Sequence, residues 1–328
     1  MTDPGVASDP GVARDLAAGD GAGVARVARG NGAAGDEALA RDFESHRPRM
    51  RAVAYRMLGS LTEAEDAVQE AWIRLARSDA GEVRNLAAWL TTVVGRVCLN
   101  VLETRRVRRE EPLETDVHVP DPIVSPVGEA DPESEALLAD SVGLALMVVL
   151  DSLEPAERLA FVLHDMFAVP FDDIAQMVGR NPAAARQLAS RARRRMRVAQ
   201  VSRRPETNLA QQREVVDAFL AASRRGDFEA LLSVLDPDVV LRADYGAVGG
   251  SRVLRGAQAV GRGARAFGRA GLLVRLVLVN GELGAMAVSP GGEVYSVMGL
   301  TTRDGRIVEM NILGDPQRLT GLGFPVAA

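Results

Sequence analysis

The side chains with the clearest chemical use lie in one basic segment near the middle of the chain. Residues 174–205 contain nine arginines and no acidic residue, although the 328-residue chain has a formal net charge of -5. Positive charge concentrated in this way favours a polyanionic partner. Arginine can bind guanine, and glutamine adenine, through paired hydrogen bonds in the major groove, so the segment predicts binding to double-stranded DNA. The alternative is a solvated surface helix, which usually mixes charges of both signs.

Two helices joined by a tight turn are predicted to position these side chains. Residues 171–178 form a short helical pattern, and Gly179 suits the left-handed residue that ends a helix. Asn181 can cap the next helix, with Pro182 at its first position. An apolar stripe at helical spacing follows, formed by Ala185, Leu188, Ala192 and Met196. The opposite side carries Arg186, Gln187, Ser190, Arg191, Arg193, Arg194 and Arg197. This layout is typical of a DNA-binding helix-turn-helix.

Composition divides the rest of the chain. Residues 1–36 contain almost no large apolar side chains and are predicted to be a disordered extension, whereas 37–109 are helical in character, with Thr62 and Glu65 spaced as a capping box. Residues 110–135 contain nine acidic residues, five prolines and no arginine, which predicts a linker that buries no core. Residues 136–204 form a second helical domain. From 205 to 328, helices precede strand-like segments, which predicts an α+β domain with an antiparallel sheet.

Several classes of protein are disfavoured. The single cysteine excludes an internal disulfide and favours the cytoplasm, and three widely separated histidines give no metal site or cofactor site. No apolar stretch is expected to reach membrane-spanning length, and no signal-peptide pattern is present, so no membrane partner is expected. No histidine or cysteine follows Pro205, which disfavours an enzyme.

Three segments resemble a known family. The sequences AYRMLGSLTEAEDAVQEAWIRL (54–75), NLAAWLTTVVGRVCLNVLETRRVRR (85–109) and LEPAERLAFVLHDMFAVPFDDIAQMVGRNPAAARQLASRARRRMR (153–197) are similar to regions 2 and 4 of extracytoplasmic-function (group IV) sigma factors of RNA polymerase. Residues 209–320 resemble a SnoaL-like domain, as in the sigma-J type subgroup. The resemblance implies a multidomain fold: two all-α sigma domains, region 2 (37–109) and region 4 (136–204), followed by an α+β SnoaL-like cone (205–328).

The resemblance also implies partners and residue roles. One helix of region 2 would bind core RNA polymerase, and its counterpart here contains Asp66, Gln69, Glu70 and Trp72. Region 2 would also open the -10 promoter element, through Asn100, Arg105, Arg106, Arg108 and Arg109. The helix-turn-helix would bind the -35 element through Arg186, Gln187, Ser190, Arg191, Arg193 and Arg194. Two structural alternatives stay open: Trp72 can be a core residue, and the arginines after Asn100 can complement a helix dipole.

The tail of the subgroup regulates the sigma domains by intramolecular contacts. Here the corresponding loop, DYGAVGG (244–250), keeps an aspartate and glycines but lacks a lysine, and the linker lacks the tryptophan of the subgroup. The implied contact residues are Asp244, Gly249, Gly250, Asp315, Pro316, Arg318 and Leu319. A small ligand in a tail pocket is possible. The alternative functions are a polymerase-independent helix-turn-helix regulator with a ligand-binding tail and, less strongly indicated, a SnoaL-like enzyme tethered to DNA.

Overall fold

The first domain is a bundle of three helices. The computed structural model describes residues 33–78, 83, 85–108, 117–128, 143–198, 208–268, 270–322 and 324. The bundle contains α1 (Ala33–Leu58), α2 (Leu61–Arg77) and α3 (Leu86–Arg108). Most of the predicted extension at 1–36 lies outside the described residues. The predicted end of this extension, residue 36, is too late in the sequence. Helix α1 already begins at Ala33, in a segment whose alanines favour helix.

The cap of α2 lies before the predicted capping box. Ser60, not Thr62, is the N-cap, and its hydroxyl accepts a hydrogen bond from the Glu63 amide at 3.5 Å. Glu65 does not act in a capping box. It instead forms an ion pair with Arg51 of α1, with an N–O distance of 2.8 Å. This pair helps to fix α2 against α1.

In the part of the second helical domain that the structure describes, residues 143–198, three short helices precede one of 17 residues. These are α4 (Leu144–Asp151), α5 (Pro155–Phe161), α6 (Phe171–Met177) and α7 (Pro182–Val198). A π-helical turn (Val162–Met166) follows α5 directly. Helix α4 consists almost entirely of apolar residues, and five of its eight residues are buried. A helix that is apolar on all sides needs cover on all sides, and α4 lies between α1 and the sheet of the tail.

The tail, residues 208–324, combines helices with a mixed sheet. Its helices are α8 (Leu209–Arg225), α9 (Phe228–Val234), α10 (Ala257–Phe267) and α11 (Pro316–Gly321), and a single helical turn (Gly246–Gly249) lies between α9 and α10. The strands are β1 (Val124–Pro126), β2 (Leu235–Asp244), β3 (Ser251–Arg255), β4 (Leu273–Val279), β5 (Glu282–Val288), β6 (Val294–Arg303) and β7 (Arg306–Leu313), in the order β1-β4-β5-β6-β7-β2-β3. The prediction of an antiparallel sheet is wrong for one pair, because β2 and β7 are parallel.

The sheet has two apolar faces. Alternate residues of a strand point to opposite faces, and in β4 and β5 both sets are largely apolar. One face packs on α8, α9 and α10 to form the core of the tail. The other face contributes to the core of the helical domains through Val277, Val279, Met286, Val288, Val297 and Leu313. The helical domains and the tail therefore share a hydrophobic core.

The prediction that 110–135 buries no core is wrong over residues 117–128. Val119 is 0% exposed and Ile123 is 7% exposed. The segment ends in β1, which pairs antiparallel with β4. Its prolines fit because an extended segment at the edge of a sheet need not supply every amide to the ladder. Residues 110–116 and 129–135 lie outside the described residues.

Helix α3 corrects the expectation about membrane-spanning length. Its stretch Leu86–Val107 is, by length and composition alone, long and apolar enough to cross a membrane. In the structure it packs against α1, α5 and α6. The buried residues Leu90, Val94 and Cys98 belong to the core of the helical domains, so these contacts explain its apolar composition.

Candidate nucleic-acid interface

Helices α6 and α7 form the predicted helix-turn-helix. Between them, Gly179 has a φ of +62°, the left-handed conformation in which helices often end. The Asn181 side chain accepts a hydrogen bond from the Ala184 amide at 2.8 Å, and Pro182 begins α7. The predicted apolar stripe is buried, so the other side of α7 faces outward. The stripe consists of Ala185, Leu188, Ala192 and Met196.

The outward side of α7 presents the predicted base-reading side chains. Arg186, Gln187 and Ser190 are exposed, and their spacing of three and four residues places them on one helix face. The Arg186 guanidinium lies 5.7 Å from the centroid of the Phe171 ring, which orients it by a cation–π contact. Arg194 is exposed one turn after Ser190. The structure therefore brings these four residues together on one surface.

Two acidic side chains before α6 pair with arginines of α7. The Glu157 side chain, which is 6% exposed, lies 3.1 Å from Arg191 and 3.5 Å from Arg195. Asp165 binds Arg193 through two contacts of 2.8 and 3.1 Å. Arg191 and Arg193 are therefore already paired within the domain, which orients them and reduces their net charge. Arg195 is not among the residues predicted from the sequence, and the carboxylate that pairs with it, Glu157, comes from another helix.

The predicted -10 residues lie at the end of α3 but do not form one exposed cluster. Asn100 is exposed. Arg105 is half-buried, where it pairs with Glu63 and donates to the Leu58 carbonyl at 3.3 Å. Arg106 forms an exposed ion pair of 2.7 Å with Glu154 of the second helical domain. Arg108 is the last residue of α3, and Arg109 lies outside the described residues.

The predicted polymerase-binding residues lie within α2. Asp66 and Gln69 are exposed on one face. Glu70 pairs with Arg74, with an N–O distance of 2.8 Å. Trp72 is partly buried, and its ring centroid lies 5.0 Å from that of Phe43 in α1. This position agrees with the alternative that Trp72 is a core residue, and it leaves the polar side of α2 outward.

Arg318 connects the tail to residues 117–128. It donates to Asp121 Oδ1 from Nε at 2.9 Å, to Asp244 Oδ2 from Nη1 at 2.9 Å, and to the Val119 carbonyl from Nη2 at 2.7 Å. Asp315 caps α11, accepting from the Gln317 amide at 2.9 Å. Pro316 is the first residue of α11, and Leu319 is buried in the core of the helical domains.

Asp244 is held as a carboxylate in this contact. Burial would raise the pKa of its carboxyl group. Hydrogen bonds from His118 and from the Gly246 and Val119 amides, together with the charge of Arg318, outweigh burial and lower the pKa below its ordinary value. Asp244 therefore remains a charged partner for Arg318 at neutral pH.

The predicted glycines shape the loop after Asp244. Gly250 has a φ of +69°, and its carbonyl accepts the Tyr245 amide at 2.9 Å. A Cβ at Gly249 would lie 2.4 Å from the Tyr245 Cβ, so the turn requires glycine there. Next to this loop, Ser251 accepts a hydrogen bond from the Val117 amide at 2.9 Å. The glycines thus position residues that contact the 117–128 segment.

Asp121 joins the same segment to the first helical domain. Its Oδ2 accepts the Leu61 amide at the start of α2 at 2.9 Å, and its amide donates to the Gly59 carbonyl at 2.8 Å. The Tyr55 hydroxyl donates to the Asp121 carbonyl at 2.6 Å and accepts from Asn280 of the tail at 3.0 Å. These residues are not among those predicted from the sequence, although the pattern Val-Pro-Asp-Pro-Ile at 119–123 could have indicated an ordered extended segment.

The two helical domains also contact each other directly. Arg158 of α5 is 1% exposed; its Nε donates to the Arg56 carbonyl of α1 at 3.0 Å, and its Nη1 donates to Asp151 at 2.9 Å. Gly95 of α3 faces Met177 of α6 so closely that a Cβ would lie 3.2 Å from the Met177 sulfur. The structure is therefore a compact state in which the helix-turn-helix domain rests on the three-helix bundle.

A buried carboxyl group lies where α4 meets the sheet. Gly143, the N-cap of α4, has no room for a Cβ because the Glu282 carboxyl group is adjacent. The Thr301 hydroxyl donates to Glu282 Oε2 at 3.1 Å. Burial raises the pKa of Glu282 to about 7; the Thr301 hydrogen bond opposes this rise, and the charge of Glu309 adds to it.

This contact predicts a pH-dependent stability. Because the folded pKa is raised, the contribution of Glu282 is complete below the ordinary value of 4.5 and is lost as the pH rises through about 7. The expected loss of unfolding free energy is roughly 3 kcal/mol. Glu282→Gln, neutral at every pH, should remove it, and urea unfolding at about pH 5 and pH 8 measures the difference. The exposed control Glu293→Gln should behave as wild type, and a wild-type stability that does not fall with pH would contradict the prediction.

Comparison with known proteins decides the family. The Sigma-70 region 2 family model matches residues 43–109, and the Sigma-70 region 4 model matches residues 143–196. The ECF RNA polymerase sigma factor SigJ of Mycobacterium tuberculosis is 38% identical over 299 residues, which cover 85% of this chain and 93% of that protein. The chain is an extracytoplasmic-function sigma factor.

Other relatives of this sigma factor agree. The probable ECF sigma factor SigI of Mycobacterium tuberculosis is 40% identical over 203 residues, covering 62% of this chain and 68% of that protein. The crystal structure of SigJ matches with a TM-score of 0.65 and 35% identity, covering 88% of this chain and all of that chain. The predicted fold class, two all-α sigma domains followed by a SnoaL-like α+β domain, is confirmed.

Family membership settles the class of function. As a sigma factor, the chain acts with core RNA polymerase and promoter DNA, and it is not an enzyme. The first helical domain is sigma region 2 and the helix-turn-helix domain is sigma region 4. A polymerase-independent regulator would not require region 2, so that alternative is removed.

Proposed function

We propose that this sigma factor acts in the cytoplasm and recognises a two-part promoter through α7 and the end of α3. The exposed row on α7 supports the first part, because bidentate Arg and Gln contacts can read base edges of a duplex. The six assigned -35 residues divide into base-reading and phosphate-contacting groups. Arg186, Gln187 and Ser190 read bases, while Arg191, Arg193 and Arg194 contact phosphates.

Each single replacement by alanine, at Arg186, Gln187 or Ser190, should weaken promoter binding by about 1–3 kcal/mol. It should also relax the sequence preference at the base pair that the native residue reads. Transcription by purified core polymerase on a library of promoter fragments measures both effects. Arg213→Ala, an exposed arginine of the tail helix α8, serves as the matched control. Unchanged promoter selection after all three substitutions would refute the assignment.

For the -10 element we assign Asn100, with Arg105, Arg106, Arg108 and Arg109 holding the single strand. The exposed amide of Asn100 can form hydrogen bonds with an unstacked base, while arginines bind the backbone. Since Arg105 pairs with Glu63 and Arg106 pairs with Glu154, both pairs must open before these arginines can contact DNA. Asp66, Gln69 and Glu70, on the outward side of α2, are assigned to polymerase. Trp72 is assigned with them, although its ring packs partly buried against Phe43.

Asn100→Ala should reduce the open promoter complex by roughly tenfold, or ~1.4 kcal/mol, while closed-complex binding remains close to wild type. The reason is that only melting exposes a base to this side chain. Permanganate reactivity of unpaired thymines reports melting, and filter binding reports the closed complex. Thr92→Ala, on the same helix, is the control. Normal permanganate reactivity in the Asn100 variant would count against the assignment.

We also infer that the tail restrains this activity by stabilising the compact state. The supporting observation is the Arg318 contact, which joins the tail to Asp121 and thereby to the start of α2. The linker here lacks the tryptophan of the subgroup. In its place, the Val119 carbonyl and the Asp121 carboxylate connect the linker to Arg318 of the tail. In the compact state regions 2 and 4 touch, so binding to two separated promoter elements requires that these contacts open.

A further inference from the structure

An open depression of about 510 Å³ lies on the tail, far along β2 from Asp244. Its volume falls within the usual range of small-molecule sites. Apolar side chains from α9 and the start of β2 form part of its lining, namely Leu232, Leu235 and Pro237. The first turn of α10 forms another part. The depression therefore offers apolar surface beside polar groups.

Three arginines also line the depression. Arg255 ends β3, Arg262 belongs to α10 and Arg306 begins β7, and all three are exposed. Among the residues described by the structure, no ion pair joins any of them to a carboxylate, and no acidic residue lines the depression. Arg242, by contrast, is paired with Glu309 in the same sheet. Three like charges around one depression repel each other, and a bound anion would relieve that repulsion.

The start of α10 adds to the positive potential. Gly256 is its N-cap and supplies no side-chain hydrogen bond, and the first turn contains no acidic residue. The first amides of a helix point away from the helix and carry a partial positive charge. Such amides bind phosphate well when they act with arginines.

We propose that this arginine depression binds an organic phosphate: the arginines hold the phosphate group, and the apolar lining contacts the organic part. The proposal names a class of ligand for the tail of this sigma factor. It rests on the proposed function only where it would link ligand binding to transcription. Binding can be measured without polymerase. Arg318 lies at the other end of β2, so failure of one proposal leaves the other testable.

Isothermal titration of the full chain with adenosine monophosphate tests the site. We expect saturable binding that weakens with salt, weaker binding of inorganic phosphate, and binding of adenosine at least tenfold weaker because it lacks the charge. The double variant Arg255→Ala/Arg262→Ala should bind adenosine monophosphate at least tenfold more weakly. The exposed control Arg224→Ala and the contact variant Arg318→Ala should bind as wild type.

Three results would overturn the proposal. The first is no saturable binding of either adenosine monophosphate or inorganic phosphate. The second is binding of inorganic phosphate but not of the nucleotide, which would make free phosphate the ligand. The third is equal nucleotide binding by the double variant and the wild type; if the double variant also loses affinity for a non-promoter DNA duplex, Arg255 and Arg262 would be assigned to the DNA backbone.

Discussion

Replacement of Arg158 by alanine is expected to lower the free energy of unfolding by about 3–5 kcal/mol. The guanidinium is buried between α5, α1 and α4 and donates to Asp151 and to the Arg56 carbonyl. Alanine would leave the largely buried Asp151 carboxylate without its cation and would leave a cavity. Urea unfolding followed by the fluorescence of Trp72 and Trp89 measures the change.

Three further variants separate this effect from a general loss of charge. Arg213→Ala removes an exposed ion pair with Asp217, and it should cost less than about 1 kcal/mol. Arg158→Met combined with Asp151→Asn should be more stable than Arg158→Met alone, because the double variant leaves no unpaired carboxylate. A cost below about 1 kcal/mol for Arg158→Ala would show that the buried Arg158 guanidinium, which joins Asp151 to the Arg56 carbonyl of α1, does not stabilise the contact between the two sigma domains.

Arg318→Ala is expected to loosen the 117–128 segment and to increase transcription. The substitution leaves the carboxylates of Asp121 and Asp244 without a cation that both share, at a cost of about 3–5 kcal/mol to the contact. Amide exchange should then accelerate by at least a hundredfold at Val119 and Ile123, since local opening becomes easier. Hydrogen exchange measures the first effect, and transcription with core polymerase measures the second.

The controls for this variant address folding and the direction of regulation. Arg224→Ala removes an exposed arginine from the same domain and should change neither exchange nor transcription. Exchange should remain slow in β5 and β6 of the Arg318 variant, which shows that the sheet is intact. Faster exchange at Val119 without a rise in transcription would contradict restraint by the tail, and unchanged exchange would contradict the role of Arg318.

The helix-turn-helix could be predicted because its signals are local. Gly179, Asn181 and Pro182 determine the turn within a few residues, and the apolar stripe of α7 has a clear helical period. Most strands of the tail could also be predicted from apolar runs. The parallel pairing of β2 with β7 could not, because it joins segments far apart in sequence and leaves no local signal.

The contacts between domains could not be read from composition. The acidic, proline-rich segment looks solvated, yet Val119 and Ile123 bury their side chains because β4 offers an open edge. Arginine is seldom fully buried unless it is paired. The burial of Arg158 therefore could not be predicted from the sequence, because its partner Asp151 comes near only in the folded chain. Likewise, the basic surface of α7 looks unopposed in the sequence, although Glu157 and Asp165 neutralise part of it.

Because the sheet has two apolar faces, separation of the sigma domains from the tail exposes apolar surface to water. If the helical domains separate from the sheet, the sheet residues that belong to their shared core, among them Val277, Met286 and Val297, become exposed to water, and so does the apolar surface of α4. Such a patch is a hazard for self-association in solution. An opened chain without bound polymerase would therefore close again or self-associate. Opening of the chain and binding of polymerase are thus expected to be coupled.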